Sequence, residues 1–241
     1  MKALVLASGG VDSSTALAMA VEKYGKTNVY ALSISYGQKH DKEIEAANKI
    51  AEYYGVEQRF LDLSLIFKDS ASSLLKDSGI DIPKGSYAAQ QVDFTKYNEA
   101  DSTNRNTTDS ENNLISTYVP FRNGLFLAGA ASIAQSLGCG VILYGAHADD
   151  AAGAAYPDCT PEFNEAMNKS IYEGTGHEVH IEAPFVNKTK AEIVKIGLGL
   201  KVPYEYTWSC YEGGDKPCGV CATCIDRAKA FADNGVKDPA L

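Results

Sequence analysis

Positive charge is scarce in this chain of 241 residues. Twenty-two Lys and Arg face 31 Asp and Glu, for a formal net charge of −9. Only four arginines occur: Arg59, Arg105, Arg122 and Arg227. A long nucleic-acid track needs a basic face to neutralise phosphates. The composition therefore favours a small anionic substrate in a local basic pocket, with no direct nucleic-acid contact. Long apolar runs are also missing. No stretch reaches the roughly 20 residues of a membrane span. The apolar start of the chain is broken by Ser8, Gly9, Gly10 and Asp12, which excludes a signal-peptide core. The expectation is a cytoplasmic protein of enzyme size that does not touch a membrane. Two familiar phosphate fingerprints are absent as well, since neither G-x-x-x-x-G-K-[ST] nor G-x-G-x-x-G occurs. No internal repeat is present.

What is there reads as α/β. A hydrophobic fraction of 45% suffices for a sizeable core. Short apolar runs at residues 2–7, 28–35, 58–63, 140–145 and 178–183 predict strands. Helical spacing of apolar residues predicts helices over 11–22, 40–54, 121–137, 161–172, 188–198 and 222–233. Strands that alternate with helices imply a Rossmann-like parallel sheet covered on both faces, with ligands at the C-terminal strand ends. Residues 1–200 are read as this domain and 201–241 as a small C-terminal segment. Residues 68–119 break the periodicity and are rich in Ser, Asn, Asp and Thr. They read as a solvated insertion, with an active-site lid as the functional alternative.

The loop ASGGVDSS lies directly between the first strand and the first helix. Its glycines let backbone approach a ligand, and the helix N-terminus turns free N–H groups and a positive dipole end toward it. Ser8, Ser13 and Ser14 add hydroxyls. Asp12 adds a carboxylate, which beside phosphate makes sense if Mg²⁺ or an ordered water lies between. Near the end, CYEGGDKPCGVCATC spaces Cys210, Cys218, Cys221 and Cys224 as C-x7-C-x2-C-x2-C. Four thiolates in so short a span can wrap one tetrahedral ion, so structural zinc is expected, with an iron–sulfur cluster as the rival. Cys139 reads as a small buried residue and Cys159 as isolated. His177 and His180 form a weak H-x-x-H pattern that reads as ordinary surface or strand residues. His40, after SYGQK, stands where it could face a nucleotide.

SGGVDS resembles the pyrophosphate loop of the ATP pyrophosphatase (PP-loop) superfamily, whose members transfer AMP to a carboxylate or carbonyl oxygen. PFVNKTKAEIVKIG resembles its later segment, in which a lysine, here Lys190, meets the pyrophosphate. Together with SYGQKH, YVPFRNGLFL, GAHADD, AYPDC and the cysteine set, these motifs resemble the QueC family of 7-cyano-7-deazaguanine synthases, in order over nearly the whole chain. That resemblance implies an adenine nucleotide alpha hydrolase-like fold and a homodimer. It implies ATP-dependent conversion of 7-carboxy-7-deazaguanine and ammonium to the nitrile, through adenylates and an amide, in queuosine biosynthesis. Ala7, Ser8, Gly9, Gly10, Val11, Asp12, Ser13 and Ser14 carry over as the ATP loop, and the four cysteines as zinc ligands. Asp12, Ser13, Lys190 and Arg122 become the catalytic candidates. Arg122 could pair with a carboxylate or phosphate, and Asn123 and Asp158 could read the edges of the ring. Departures sit at Thr160, where many relatives carry arginine, and in GAHADDAAGAAYPDC. Within the superfamily the rival is a tRNA-modifying adenylase; outside it, a non-catalytic zinc-bearing nucleotide-binding module.

Overall fold

The structure is a computed structural model, and it describes residues 1–87, 115–151 and 156–240. Five strands form one parallel sheet: β1 (Lys2–Leu6), β2 (Val29–Ser35), β3 (Glu57–Asp62), β4 (Cys139–Leu143) and β5 (His180–Glu182). Their order is β3-β2-β1-β4-β5. The order reverses between β1 and β4, and that switch point opens a crevice at the C-terminal strand ends.

Alternation along the strands divides the core. Ala3 and Val5 of β1, with Val29 and Ala31 of β2, face helices α1 (Val11–Tyr24), α2 (Lys42–Tyr54), α5 (Lys190–Gly199) and α6 (Ala222–Asp233). Leu4, Leu32 and Ile142 face the opposite layer, α3 (Arg122–Leu137) and α4 (Pro161–Gly174). Successive side chains of a strand point to opposite faces, so both layers are filled by the same short apolar runs. The α/β, doubly covered architecture expected from the sequence is the one observed.

Most boundaries fall within two residues of the expected ones, and two of the shifts have a visible cause. α5 starts at Lys190, not 188, because Thr189 and Glu192 form a reciprocal capping box that closes the helix start. β5 is three residues long, since only 180–182 pair with β4. Most of the polar stretch, residues 88–114, lies outside the described residues. Its described ends differ from a solvated loop. Leu74, Leu75, Ile82 and Val119 are buried in a third apolar cluster together with Cys210, Cys221 and Cys224, and Ile115 is buried in the layer of α3 and α4. Ser73 N–H donates to Ser116 O at 2.8 Å, and Lys84 bridges to Cys221. These apolar residues are too sparse among Ser and Asp to raise a periodic signal.

The C-terminal segment is tied to the sheet domain. Ala230 and Phe231 of α6 join the α1-side core. Buried Arg227 grips buried Asp238 through two bonds, Nε to Oδ2 at 2.6 Å and Nη2 to Oδ1 at 2.8 Å. Its remaining donors go to Thr207 and Tyr204, so this buried pair is satisfied.

Candidate active site at the sheet switch point

A cavity of about 230 Å³ lies over the C-terminal ends of β1, β2 and β4. Its two ends differ in chemistry. The first end is built on the β1–α1 turn. Ala7, Ser8, Gly10, Asp12 and Ser13 line it, whereas Gly9, Val11 and Ser14 do not. Val11 is in the core, and the Ser14 hydroxyl is buried with no hydrogen-bond partner. Gly9 serves packing: its φ is +82°, and an added Cβ would stand 2.5 Å from Ala47 N on α2. The glycine therefore lets α2 press on the loop. No side chain caps α1, so its first N–H groups stay open to a ligand. Ser8 Oγ and Ser13 Oγ are 3.1 Å apart at the same turn.

Opposite the turn, the Lys190 ammonium donates to Asp12 Oδ2 and lies 3.4 Å from His147 Nε2. Its backbone N–H is held by Asp149 Oδ2 at 2.7 Å. His147 Nε2 is 3.3 Å from Asp150 Oδ2 and 3.7 Å from Asp12 Oδ2. Burial alone would raise the Asp12 pKa, but Lys190 and His147 outweigh it and hold the carboxylate below its usual range. Asp226 behaves oppositely. Burial raises it, and Asp149 and Asp150 add to the rise against Lys190. Asp12 Oδ1 is buried without a hydrogen-bond partner. The sequence brought Asp12, Ser13 and Lys190 forward; His147, Asp150 and Asp226 were missed as site residues. GAHADD was noticed as a motif, but nothing in its spacing says that His147 would reach Asp12.

The second end is aromatic. Tyr36, Phe126, Tyr156, Trp208 and Tyr211 line it with Arg122, Asn123 and Glu43. Phe121 precedes α3 at φ +53°, a strained value for a bulky residue. Its N–H donates to Tyr118 OH at 2.9 Å. Gly124 leaves room for its ring, since an added Cβ would stand 2.7 Å from Cε2. The turn presents Arg122 to the cavity, its guanidinium 5.0 Å from the Tyr36 ring centre and 5.8 Å from that of Phe126. Arg122 forms no carboxylate ion pair among the described residues. Burial opposes its charge, but the surrounding phenol oxygens and Asp158 more than offset this, so it stays protonated.

Asn123 and Asp158 are brought together, but mainly toward each other. Asp158 Oδ2 accepts from Asn123 N–H at 2.9 Å, and Asn123 Nδ2 donates to Asp158 O and to Cys159 Sγ. Asp158 is buried and does not line the cavity. Its pKa is raised by burial, against Asn123 and Arg122. Cys159 lines the cavity as a thiol that burial keeps well above its ordinary pKa, which makes it a poor nucleophile. Glu43 was missed by the sequence reading, because in the first turn of α2 it looks like an ordinary helix-start acid. Its carboxylate makes no hydrogen bond or ion pair with a described residue. Burial pushes its pKa up to about 7, with Arg122 opposing.

The remaining histidines fall elsewhere. The His40 ring packs on Trp208, with centroids 6.4 Å apart, and does not line the cavity. His177 pairs with Glu173 in exposed positions and His180 sits in β5, as ordinary surface and strand residues.

Cys210, Cys218, Cys221 and Cys224 gather their sulfurs within 4.8 Å of one another, close enough to hold one metal ion. Backbone N–H groups of Glu212 and Cys218 point at Cys210 Sγ, and that of Cys221 at Cys218 Sγ, at 3.3–3.4 Å. Such donors stabilise thiolate charge, as expected around a metal. Cys139 is buried at the start of β4, as read from the sequence. The cluster is coupled to the cavity. Trp208, Ser209, Tyr211 and Thr223 line it from the same segment, and Trp208 N–H donates to Gly9 O at 2.9 Å.

Comparisons with known proteins cover nearly the whole chain. The family model described as "Queuosine biosynthesis protein QueC" matches residues 2–235. A 7-cyano-7-deazaguanine synthase of Archaeoglobus fulgidus is 42% identical over 100% of this chain and 90% of its own. One of Caldicellulosiruptor saccharolyticus is 42% identical over 99% of this chain and 94% of its own. One of Psychromonas ingrahamii is 39% identical, covering 99% and 96%.

Proposed function

The chain belongs to the QueC family, and from that premise we propose that it is a carbon–nitrogen ligase making 7-cyano-7-deazaguanine from 7-carboxy-7-deazaguanine, ammonia and ATP. The observation that carries the reading is the meeting of Lys190 and Asp12 with Ser8 and Ser13 at the switch point, in one cavity with an aromatic end bearing Arg122.

The chemistry follows from leaving groups. A carboxylate oxygen leaves poorly, and AMP leaves well. The substrate carboxylate attacks the α-phosphorus, the α–β bridging bond breaks, and pyrophosphate departs. Ammonia attacks the carbonyl carbon, AMP leaves with the former carboxylate oxygen, and loss of a proton gives the amide. A second ATP is attacked by the amide oxygen, again releasing pyrophosphate. The C–O bond then breaks with AMP leaving, the amide nitrogen gives up its protons, and the nitrile remains. Open N–H groups of α1, the hydroxyls of Ser8 and Ser13, and Lys190 would hold the β- and γ-phosphates that leave. Lys190 must exchange Asp12 for phosphate, at least in part, as ATP enters. The buried, unpartnered Asp12 Oδ1 fits the oxygen preference of Mg²⁺, which when bound would neutralise polyphosphate charge. Arg122 is the substrate contact. Asn123 and Asp158 act behind it by fixing the head of α3.

We read the metal at the cysteines as zinc. A single tetrahedral ion with bonds of about 2.3 Å sets sulfurs about 3.8 Å apart, which agrees with four sulfurs inside 4.8 Å. A four-iron cluster bonds each thiolate to a different iron and spreads them wider. With all four positions filled by protein, the ion would be structural, holding Trp208 and Tyr211 at the cavity.

The test is an endpoint assay by mass spectrometry with purified protein, ATP, Mg²⁺, ammonium and 7-carboxy-7-deazaguanine. The nitrile, with AMP, is the expected product. Metal-loaded protein that makes neither amide nor nitrile would remove the substrate assignment. Elemental analysis and a colourless absorption spectrum are expected for zinc; a brown protein would mean iron–sulfur.

A further inference from the structure

Two groups at the aromatic end stand ready for a ligand. The Arg122 guanidinium lies against the faces of Tyr36 and Phe126 and has no carboxylate partner among the described residues. Glu43 lines the same cavity with no hydrogen bond or ion pair to a described residue. Among the described residues, Arg122 is the charged group that acts on Glu43. The phosphate end is electrostatically separate, since Asp12 is governed by Lys190 and His147. Resting on the functional reading above, the question is which part of the substrate enters this end.

The substrate carboxylate is a poor candidate. Beside Arg122 it would also meet Glu43, and two carboxylates at one site repel. The opposite edge of the deazaguanine ring carries a carbonyl oxygen, then a ring N–H, then an amino group. That order is one acceptor followed by two donors. A guanidinium beside a carboxylate supplies the complement, with Arg donating to the oxygen and both carboxylate oxygens accepting from the two N–H groups. Aromatic walls suit the flat ring. Adenine fits less well, because its edge offers the carboxylate one donor position instead of two.

We propose that Glu43 and Arg122 together read the oxo–imino–amino edge of the deazaguanine ring, with Glu43 as the residue that selects for the 2-amino group. The ring then enters edge first among Tyr36, Phe126 and Tyr211, and its carboxylate points back toward the β1–α1 turn, where the α-phosphate would lie. A pKa raised to about 7 by burial suits a carboxylate that would take its hydrogen-bond partners from a ligand.

The test compares wild type, Glu43→Gln and Glu43→Ala, with 7-carboxy-7-deazaguanine and its analogue lacking the 2-amino group, by steady-state kinetics and calorimetric binding. Thermal melts confirm that the variants fold. For Glu43→Gln, Kd and KM of the natural substrate should rise about 10- to 100-fold, with KM for ATP unchanged and kcat within about threefold. Wild type should prefer the natural substrate over the analogue by a similar factor, and Glu43→Ala should bring the two within about threefold. A KM rise confined to ATP would make Glu43 an adenine contact and overturn the proposal. So would a fall in kcat with KM intact, which marks proton transfer, or an unchanged preference for the 2-amino group. Wild-type protein that binds ATP but not 7-carboxy-7-deazaguanine would sink the functional reading and this inference with it.

Discussion

The two ends of the cavity are built on opposite plans. At the phosphate end, five lining residues come from positions 7–13, and polar side chains engage one another: Lys190 with Asp12, and His147 with Asp150. At the ring end, the lining comes from the loop after β2, the starts of α2 and α3, and the cysteine segment. Among the described residues, its charged groups Arg122 and Glu43 have no partner of opposite charge in hydrogen-bond contact. A polyphosphate brings high charge and needs a site that stays compact without it, so internal pairs that can be exchanged are useful. A neutral flat ring brings directional donors and acceptors, so unpaired groups on rigid walls discriminate better. On the proposed function, the first end would supply charge stabilisation and the second selectivity.

Metal removal should have the largest effect, and on one end more than the other. Cys221→Ser, or exposure to a strong chelator, should release the ion and lower Tm by roughly 10 °C or more. Trp208 is the single tryptophan, so its emission should shift as the segment detaches. Turnover should be lost, and binding of the deazaguanine substrate should weaken more than binding of ATP. Metal-free protein with unchanged Tm and emission would dissolve the link between cysteines and ring end.

Next comes Lys190→Ala, directed at the phosphate end. Removing a donor to developing phosphate charge should lower AMP formation about 10²- to 10³-fold. Binding of the deazaguanine substrate alone should change little. A loss below tenfold would take Lys190 out of the chemistry.

Asp158→Asn is a milder probe of the ring end. The substitution weakens the carboxylate bond to the α3 backbone and should cost about 1 kcal/mol, or about 2–4 °C in Tm. KM for the ring substrate should rise while KM for ATP holds. Equal changes in both would mean that α3 positions more than Arg122.

A change confined to one side of neutrality sharpens the contrast through pH. The Glu43 pKa is raised in the fold to about 7 by burial. The folded protein therefore holds this proton more tightly than the unfolded chain. Its stabilising contribution is complete below about pH 4.3, the ordinary glutamate value, and is lost as pH rises through 7. Glu43→Gln should consequently gain stability over wild type between those limits. With partial exposure discounting the effect, the gain should reach about 1–2 kcal/mol at pH 8. Urea melts at pH 4 and pH 8 read it directly. No gain at pH 8 would mean that the carboxylate is well solvated and is not held in reserve for a ligand.

Legibility in the sequence followed how local each feature is. SGGVDS announced a strand–turn–helix junction because its three parts are contiguous, and Lys190 was reachable through a second motif. The cysteines announced themselves by spacing, since metal ligands close to one another in sequence need little else to meet. Even there the structure changed a reason. Gly9 turned out to admit α2 to the loop and not to line the cavity. Asp158 looked like a ring reader in YPDC, but its carboxylate is engaged by Asn123 N–H. Glu43 and Tyr211 carried no signal, because a glutamate in a helix's first turn and a tyrosine near a turn are ordinary, and Tyr36 was noticed only as part of SYGQKH.

The sequence by itself determined the alternation of strands and helices, the β1–α1 turn and the thiolate set. All of these depend on neighbours in the chain: periodicity, backbone permissiveness and short ligand spacing. Tertiary structure alone decided which residues share the cavity. The strand order β3-β2-β1-β4-β5 brings the ends of β1 and β4 side by side, and with them Asp12, His147 and Lys190. Packing of α2 on Gly9 and of the cysteine segment on the β1–α1 turn brings Glu43 and Tyr211 to the cavity of Arg122. Those meetings depend on long-range burial of apolar faces, and that burial acts on whole elements and leaves no mark at the individual residue.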